Sequence, residues 1–199
     1  GSTLNINSGA TIANSGTATG FGASGFVLIE TITASDSSSL DFVTGIDGTY
    51  DTYALVLTDL VPTVNGANLY IRVTENATDF KAGAADYEAS NVVLLSGVAG
   101  FSSALNSVGV AQMQAASANS NVDGEGMNGI IYAFGPSGTA MHQFQAFISC
   151  MSNDVTPMAM MSIMLGTYNG STNAIDGFQL VMSSGNITSG VVALYGLSK

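Results

Sequence analysis

Positive charge is nearly missing from this chain of 199 residues. Lys and Arg number three, Arg72, Lys81 and Lys199, against 14 Asp and Glu, for a formal net charge of −11. A nucleic-acid backbone is held by clustered Lys and Arg, so composition argues against that partner. Cysteine is almost absent too: Cys150 stands alone, no internal disulfide can form, and a small apolar core residue is the reading it supports. His142 is the single histidine. No G-x-S-x-G motif accompanies it, and it reads as a surface or strand-edge residue rather than a general base. Long apolar runs are missing as well: residues 157–165 fall far short of the ~20 helical residues that cross a bilayer. No basic segment leading into an apolar core opens the chain, so a soluble protein without membrane insertion is expected.

What is present is alternation. Hydrophobic residues make up 46% of the chain, and they alternate with polar ones in short runs separated by Gly, Ser and Asn, the period of strands with one buried face. Runs at 26–34, 40–43, 52–62, 67–75, 92–95, 108–115, 129–134, 143–150 and 158–165 are predicted strands. The run 52–62 is apolar on both faces and is predicted to be central. In 67–75, Leu69, Ile71 and Val73 are predicted inward, with Tyr70, Arg72 and Thr74 outward. Residues 177–199 read as a hairpin through Ser184, Gly185 and Asn186. Phe178, Leu180 and Met182 form its first apolar face, the alternation resumes at Val191, Ala193, Tyr195 and Leu197, and the final strand is predicted to be central. Ten or eleven short strands without a persuasive helix predict an all-β, jelly-roll-like antiparallel β-sandwich.

Residues 1–24 form a separate leader, with 25–199 as the sandwich domain. The leader is rich in Thr, Asn, Ser, Gly and Ala and cannot bury enough apolar surface to fold by itself. It reads either as a flexible arm or as a shaft-like segment in which Leu4, Ile6, Ile12 and Phe21 serve oligomerisation or anchoring. Residues 76–91 read as a long connection with one helical turn, where binding functions commonly sit. A binding module would gather this loop and residues 122–129 at one end of the sandwich. Phe80, Tyr87, Phe101 and Tyr168 are candidates for stacking on sugars, and equally for plugging the sandwich ends. Asn119, Asn121, Asp123 and Glu125, around Gly124, resemble the start of a calcium loop, but Ile130 stands where that loop type wants a bidentate Glu. No cofactor is expected. Met158, Met160 and Met164 share one strand face and suit a core or a subunit interface. The acidic residues are scattered and read as solvated turn residues; pairs such as Asp86 with Glu88, or Asp47 with Asp51, do not by spacing alone make a glycosidase site.

Three patches carry a resemblance. They are residues 25–31 with 39–42 and 45–51 (GFVLIET, SLDF, GIDGTYD), residues 129–136 (GIIYAFGP), and residues 183–190 with 194–196 (SSGNITSG, LYG). Together, and with the leader SGATIANSGTATGF, they resemble a family of tailed-bacteriophage virion structural proteins described as tail-fibre, tail or capsid-associated proteins. The resemblance spans about residues 8–197 in unbroken order, and its motifs are turns and strand edges. It implies a non-enzymatic virion component, a surface-projecting fibre or spike that contacts a host-surface glycan or protein. The alternative it leaves open is a capsid decoration protein, of cement or head-fibre type, anchored through the leader without receptor binding. Other virion proteins are the partners it implies, and the shaft-like leader points to assembly with copies of the chain itself, as a trimer.

Overall fold

The computed structural model describes residues 25–100, 103–154 and 156–197. The leader positions Leu4, Ile6, Ile12 and Phe21 lie outside these, as does Phe101. Twelve strands follow one another: β1 (Phe26–Thr33), β2 (Ser39–Phe42), β3 (Thr52–Pro62), β4 (Ala67–Thr74), β5 (Tyr87–Leu95), β6 (Ser103–Val110), β7 (Met113–Asn119), β8 (Met127–Phe134), β9 (His142–Met151), β10 (Ala159–Tyr168), β11 (Gly177–Met182) and β12 (Ile187–Leu197). No helix occurs among the described residues, and the helical turn expected within 76–91 is not there: β5 already begins at Tyr87.

The strands form two antiparallel sheets, β1-β12-β3-β8-β9-β10-β5-β6 and β2-β11-β4-β7. Without the β5–β6 and β9–β10 hairpins, what remains is β1-β12-β3-β8 against β2-β11-β4-β7. Within this frame the chain changes sheet at each of the steps β1 to β2, β2 to β3, β3 to β4, β7 to β8, β8 to β11 and β11 to β12. Eight strands wound this way make a jelly roll, the fold class expected. Both hairpins add to the β8 side, widening one sheet to twice the width of the other.

Strand β3 has the predicted bounds and lies between β12 and β8. Leu69, Ile71 and Val73 are buried as expected; Thr74, expected outward, is buried too, because its hydroxyl has a protein partner in Asn76 Oδ1 at 2.9 Å. The expected C-terminal hairpin is not one. β11 pairs with β2 and β4, whereas β12 pairs with β1 and β3, so the turn at 183–186 carries the chain across the sandwich. Two strands with strongly apolar faces bury more when those faces oppose each other than when they lie side by side. The parity of β12 also differs: Ile187, Val192 and Leu194 are buried, while Val191, Ala193 and Tyr195 face outward. Irregularities in the β12–β3 pairing between Ile187 and Val191 displace the alternation. Residues 108–115, expected as one strand, divide between β6 and β7, with Ala111 and Gln112 crossing between sheets.

Phe178, Tyr53 and Phe144 meet at the centre of the core. Phe178 packs edge-on to Tyr53 at 6.4 Å and to Phe144 at 6.0 Å between ring centroids. Met160 and Met164 fill the core from β10. Near the far end, β3 bulges at Asp59, which adopts a φ of 48°. Its amide donates to Asn128 Oδ1 at 2.9 Å, its carboxylate accepts from the Gly126 amide at 3.2 Å, and Gly190 of β12 passes directly beside it.

The outer face of the wide sheet carries a continuous apolar row. Ala193, Val56, Ile130, Phe147, Ile163 and Val92 lie opposite one another across six strands. Beside the row, Leu28, Leu165 and Phe26 are more than half exposed. Strands β8, β9, β10 and β12 contain no Asp, Glu, Lys or Arg, and only Glu30, Asp41, Asp59 and Glu88 among the acidic residues occupy strands. The remaining carboxylates sit in turns, as their scattered spacing implies.

Candidate functional site

The densest group of chemically capable side chains lies at one end of the sandwich, where the connections β4–β5, β8–β9 and β10–β11 meet. Glu75 follows β4, and Tyr168 ends β10. The Tyr168 hydroxyl donates to Glu75 Oε1 at 2.8 Å, the Ser171 hydroxyl bonds the same oxygen, and Asn173 Nδ2 reaches Oε2 at 3.4 Å. Lys81 approaches Oε2 at 3.9 Å and pairs with Asp79 at 3.1 Å. Burial works to raise the Glu75 pKa, but the bonds from Ser171, Tyr168 and Asn173, with the Lys81 charge, together hold it below its ordinary value of 4.5. Burial, with the neighbouring carboxylate, pushes the Tyr168 hydroxyl up.

Tyr87 lies against Tyr168, with ring centroids 5.3 Å apart. Its buried hydroxyl accepts from the Val73 amide and donates to Lys81 O, each at 2.9 Å, and burial raises its pKa. His142 stacks on the other side of Tyr168 at 6.3 Å. It is 1% exposed, not at the surface, and its nitrogens meet two carbonyl oxygens, Gly135 O at 3.3 Å and Asn173 O at 2.8 Å. Every polar group in this cluster is committed to another part of the protein. A carboxylate with three donors and a histidine between two carbonyls tie three loops to the sheet; they present no general base.

This arrangement makes stability depend on pH. Because the folded pKa of Glu75 lies below its unfolded value, its contribution is complete above the unfolded pKa and is lost as pH falls through the folded one. The thermal midpoint of Glu75→Gln is expected to lie below that of the unaltered chain near neutral pH, and the gap is expected to close as the pH falls below the ordinary carboxyl value of 4.5 and through the lowered folded one. A gap independent of pH would show that the carboxylate charge is not what matters.

The aromatic candidates separate. Tyr87 and Tyr168 are core residues with 0% and 1% exposure, closed off from any sugar, and Phe80 is half-buried in a bridge to Thr74. The calcium-loop candidates have separate engagements. Asn119 is buried, with Nδ2 on Ala67 O and Oδ1 accepting from Cys150 Sγ; Asn121 Nδ2 reaches Thr63 O; Glu125 accepts from the Ser120 hydroxyl; Asp123 is exposed. Among the described residues no group of three or more His, Cys, Asp or Glu is placed to hold a metal ion. Cys150 is buried as expected, and burial pushes its thiol up to about 12. The two loops expected at one end lie at opposite ends. Residues 75–86 accompany 135–141 and 169–176, whereas 120–126 accompany 152–158 and 183–186, as the strand registers require.

Sequence reasoning missed two features. One is the apolar row on the outer face of the wide sheet, whose signal was the lack of Asp, Glu, Lys and Arg in β8, β9, β10 and β12. The other is a cleft around Asn91 and Gln114, which no local pattern marks because its walls come from both sheets. Comparison with protein-family models, with curated proteins and with solved structures found no match.

Proposed function

We propose that this chain is a structural component of a tailed-phage virion, a surface-projecting protein of fibre or spike type that assembles with copies of itself, as a trimer, and contacts the host surface. The observation that carries the reading is the outer face of the wide sheet. A chain of net charge −11 keeps its charges off four adjoining or nearby strands there and exposes an apolar row across six. Six strands about 4.8 Å apart and some 20 Å long present roughly 600 Å² in projection, close to the ~800 Å² per partner of a standard stable interface. Like-charged copies meet with least repulsion at such a face. The jelly-roll order recurs in viral capsid proteins and in lectins, in keeping with this reading. The resemblance of the three sequence patches names the setting.

Phe147 stands mid-row and is 40% exposed. By light scattering the full chain is expected to be a trimer, and Phe147→Glu is expected to reduce it to monomer while moving the thermal midpoint by no more than about 2 °C. A chain that is monomeric before and after this change, and after removal of residues 3–21, would favour a decoration protein ordered only on a capsid. Antibody against the chain should label purified phage particles. Its absence from particles would end the virion reading altogether.

A further inference from the structure

The β5–β6 hairpin reaches beyond the narrower sheet. Where it meets the β4–β7 edge, a cleft of about 260 Å³ opens. Tyr70, Ala89, Asn91, Val110, Gln112 and Gln114 contribute to its walls, and no charged residue does. Tyr70 and Gln114 are opposite each other in the β4–β7 pairing, so ring and amide share a face. Asn91 is 2% exposed. Its Nδ2 donates to Gln114 O at 3.1 Å, whereas its Oδ1 is buried and has no protein partner. Gln114 is the converse: its Oε1 accepts from Asn68 Nδ2 at 3.4 Å, and its buried Nε2 has no protein acceptor. Arg72 donates to Gln112 Oε1 through Nε and Nη2 at 2.9 and 2.6 Å, which fixes that amide with its donor nitrogen directed away from Arg72.

Buried amide atoms without partners are rare in folded proteins and call for an explanation at each occurrence. Here an acceptor and a donor stand in the walls of one cleft beside a tyrosine ring. The chemistry that answers all three is a ring with vicinal hydroxyls and an apolar face. One hydroxyl donates to Asn91 Oδ1, its neighbour accepts from Gln114 Nε2, and the C–H face lies on Tyr70. A carboxylated or phosphorylated ligand would find no cation in the walls, and an ammonium no anion. The volume suits one ring rather than an extended chain. We propose that this cleft binds a single neutral hexopyranose unit at the end of a glycan.

The inference deepens the host-contact part of the function proposed above and rests on it for its biological setting, but it is tested on the isolated full chain. Loss of particle labelling would leave the cleft intact, and a failed glycan experiment would leave assembly intact. The probes are the methyl glycosides of glucose, galactose and mannose, and of N-acetylglucosamine, each titrated to about 10 mM and followed by ligand-observed NMR saturation transfer. Methyl sialoside and N-acetylglycine amide serve as the acidic and peptide-like comparisons. At least one neutral glycoside is expected to bind, and Tyr70→Ala and Gln114→Ala are each expected to weaken it by at least about tenfold. Both side chains lie on the outer face of the small sheet, so their thermal midpoints should stay close to that of the unaltered chain. If neither variant folds, Gln114→Glu supplies the second test: it replaces the donor with an acceptor at nearly constant volume and should abolish binding. No binding by any neutral glycoside, binding equal in the folded variants, or preference for the sialoside or the peptide amide would each overturn the proposal.

Discussion

Replacing Phe178 by alanine is expected to lower the stability of the domain by about 4 kcal/mol and its thermal midpoint by about 12 °C. Phe178 has no exposed surface and points from β11 into the space between the sheets. Tyr53 from β3 and Phe144 from β9 both meet its ring edge-on, so one side chain joins the eight-strand frame to the β9–β10 hairpin beside it. The cavity would be lined by aromatic rings on long, hydrogen-bonded strands, and Tyr53 is held at its tip by Asp47, whose carbonyl accepts from the hydroxyl at 2.8 Å. Such walls collapse poorly, which puts the cost toward the upper part of the range for Phe to Ala. Denaturant titration with an unchanged m-value is the measurement. A loss below about 1.5 kcal/mol would mean that the sheets do not close on this ring.

Gly190→Ala is expected to cost about 3 kcal/mol, about 9 °C in thermal midpoint, although it adds only a single methyl group, at a half-buried position in the first part of a strand. Gly190 has a φ of 114°, where side chains are strained. An added Cβ would sit 2.5 Å from Asp59 O and 2.6 Å from Leu60 Cα, both backbone atoms. Backbone at this point cannot give, because the Asp59 bulge is fastened on its other side by Asn128 and Gly126 of the β8 region. The Gly190 carbonyl also accepts from the Ala34 amide at 2.9 Å, so a shift of β12 would disturb the end of β1. Ala193→Gly, three residues along the same strand but outward-facing, serves as the comparison and should cost about 1 kcal/mol or less. Equal effects of the two changes would show that β12 adjusts freely at the bulge.

Strand positions were legible because alternation has a period of two and turn residues punctuate it; β3 could be read from Thr52 to Pro62 without error. Sheet membership was not legible. Nothing in the tetrapeptide Ser183–Ser184–Gly185–Asn186 distinguishes a hairpin turn from one that crosses the sandwich, since both need a tight polar reversal. The buried parity of β12 was hidden because Val191, Val192, Ala193 and Leu194 are all apolar, and a bulge rather than composition selects Val192 and Leu194. Tyr87 and Tyr168 looked like loop aromatics because Asp86, Glu88 and Asn169 flank them. Each hydroxyl has a specific buried partner, and a partner distant in sequence leaves no local trace. The walls of the cleft come from β4, β5, β6 and β7 with their connections, so its unpaired amides could be found only after folding brought them together.

The position of β12 has a consequence in time. It is the twelfth strand in chain order, yet it separates β1 from β3, and β1 joins the sheet only through it. Until β12 inserts, β1 has no neighbour in its sheet and one edge of β3 is bare, while the exposed faces of both carry Phe26, Leu28 and Val56. A chain whose first strand waits for its twelfth folds slowly, because the widest loop must close before its contacts give any return. The waiting period is when open strand edges recruit other chains. Slow, concentration-sensitive refolding with one dominant late phase is the kinetic signature that this strand order imposes.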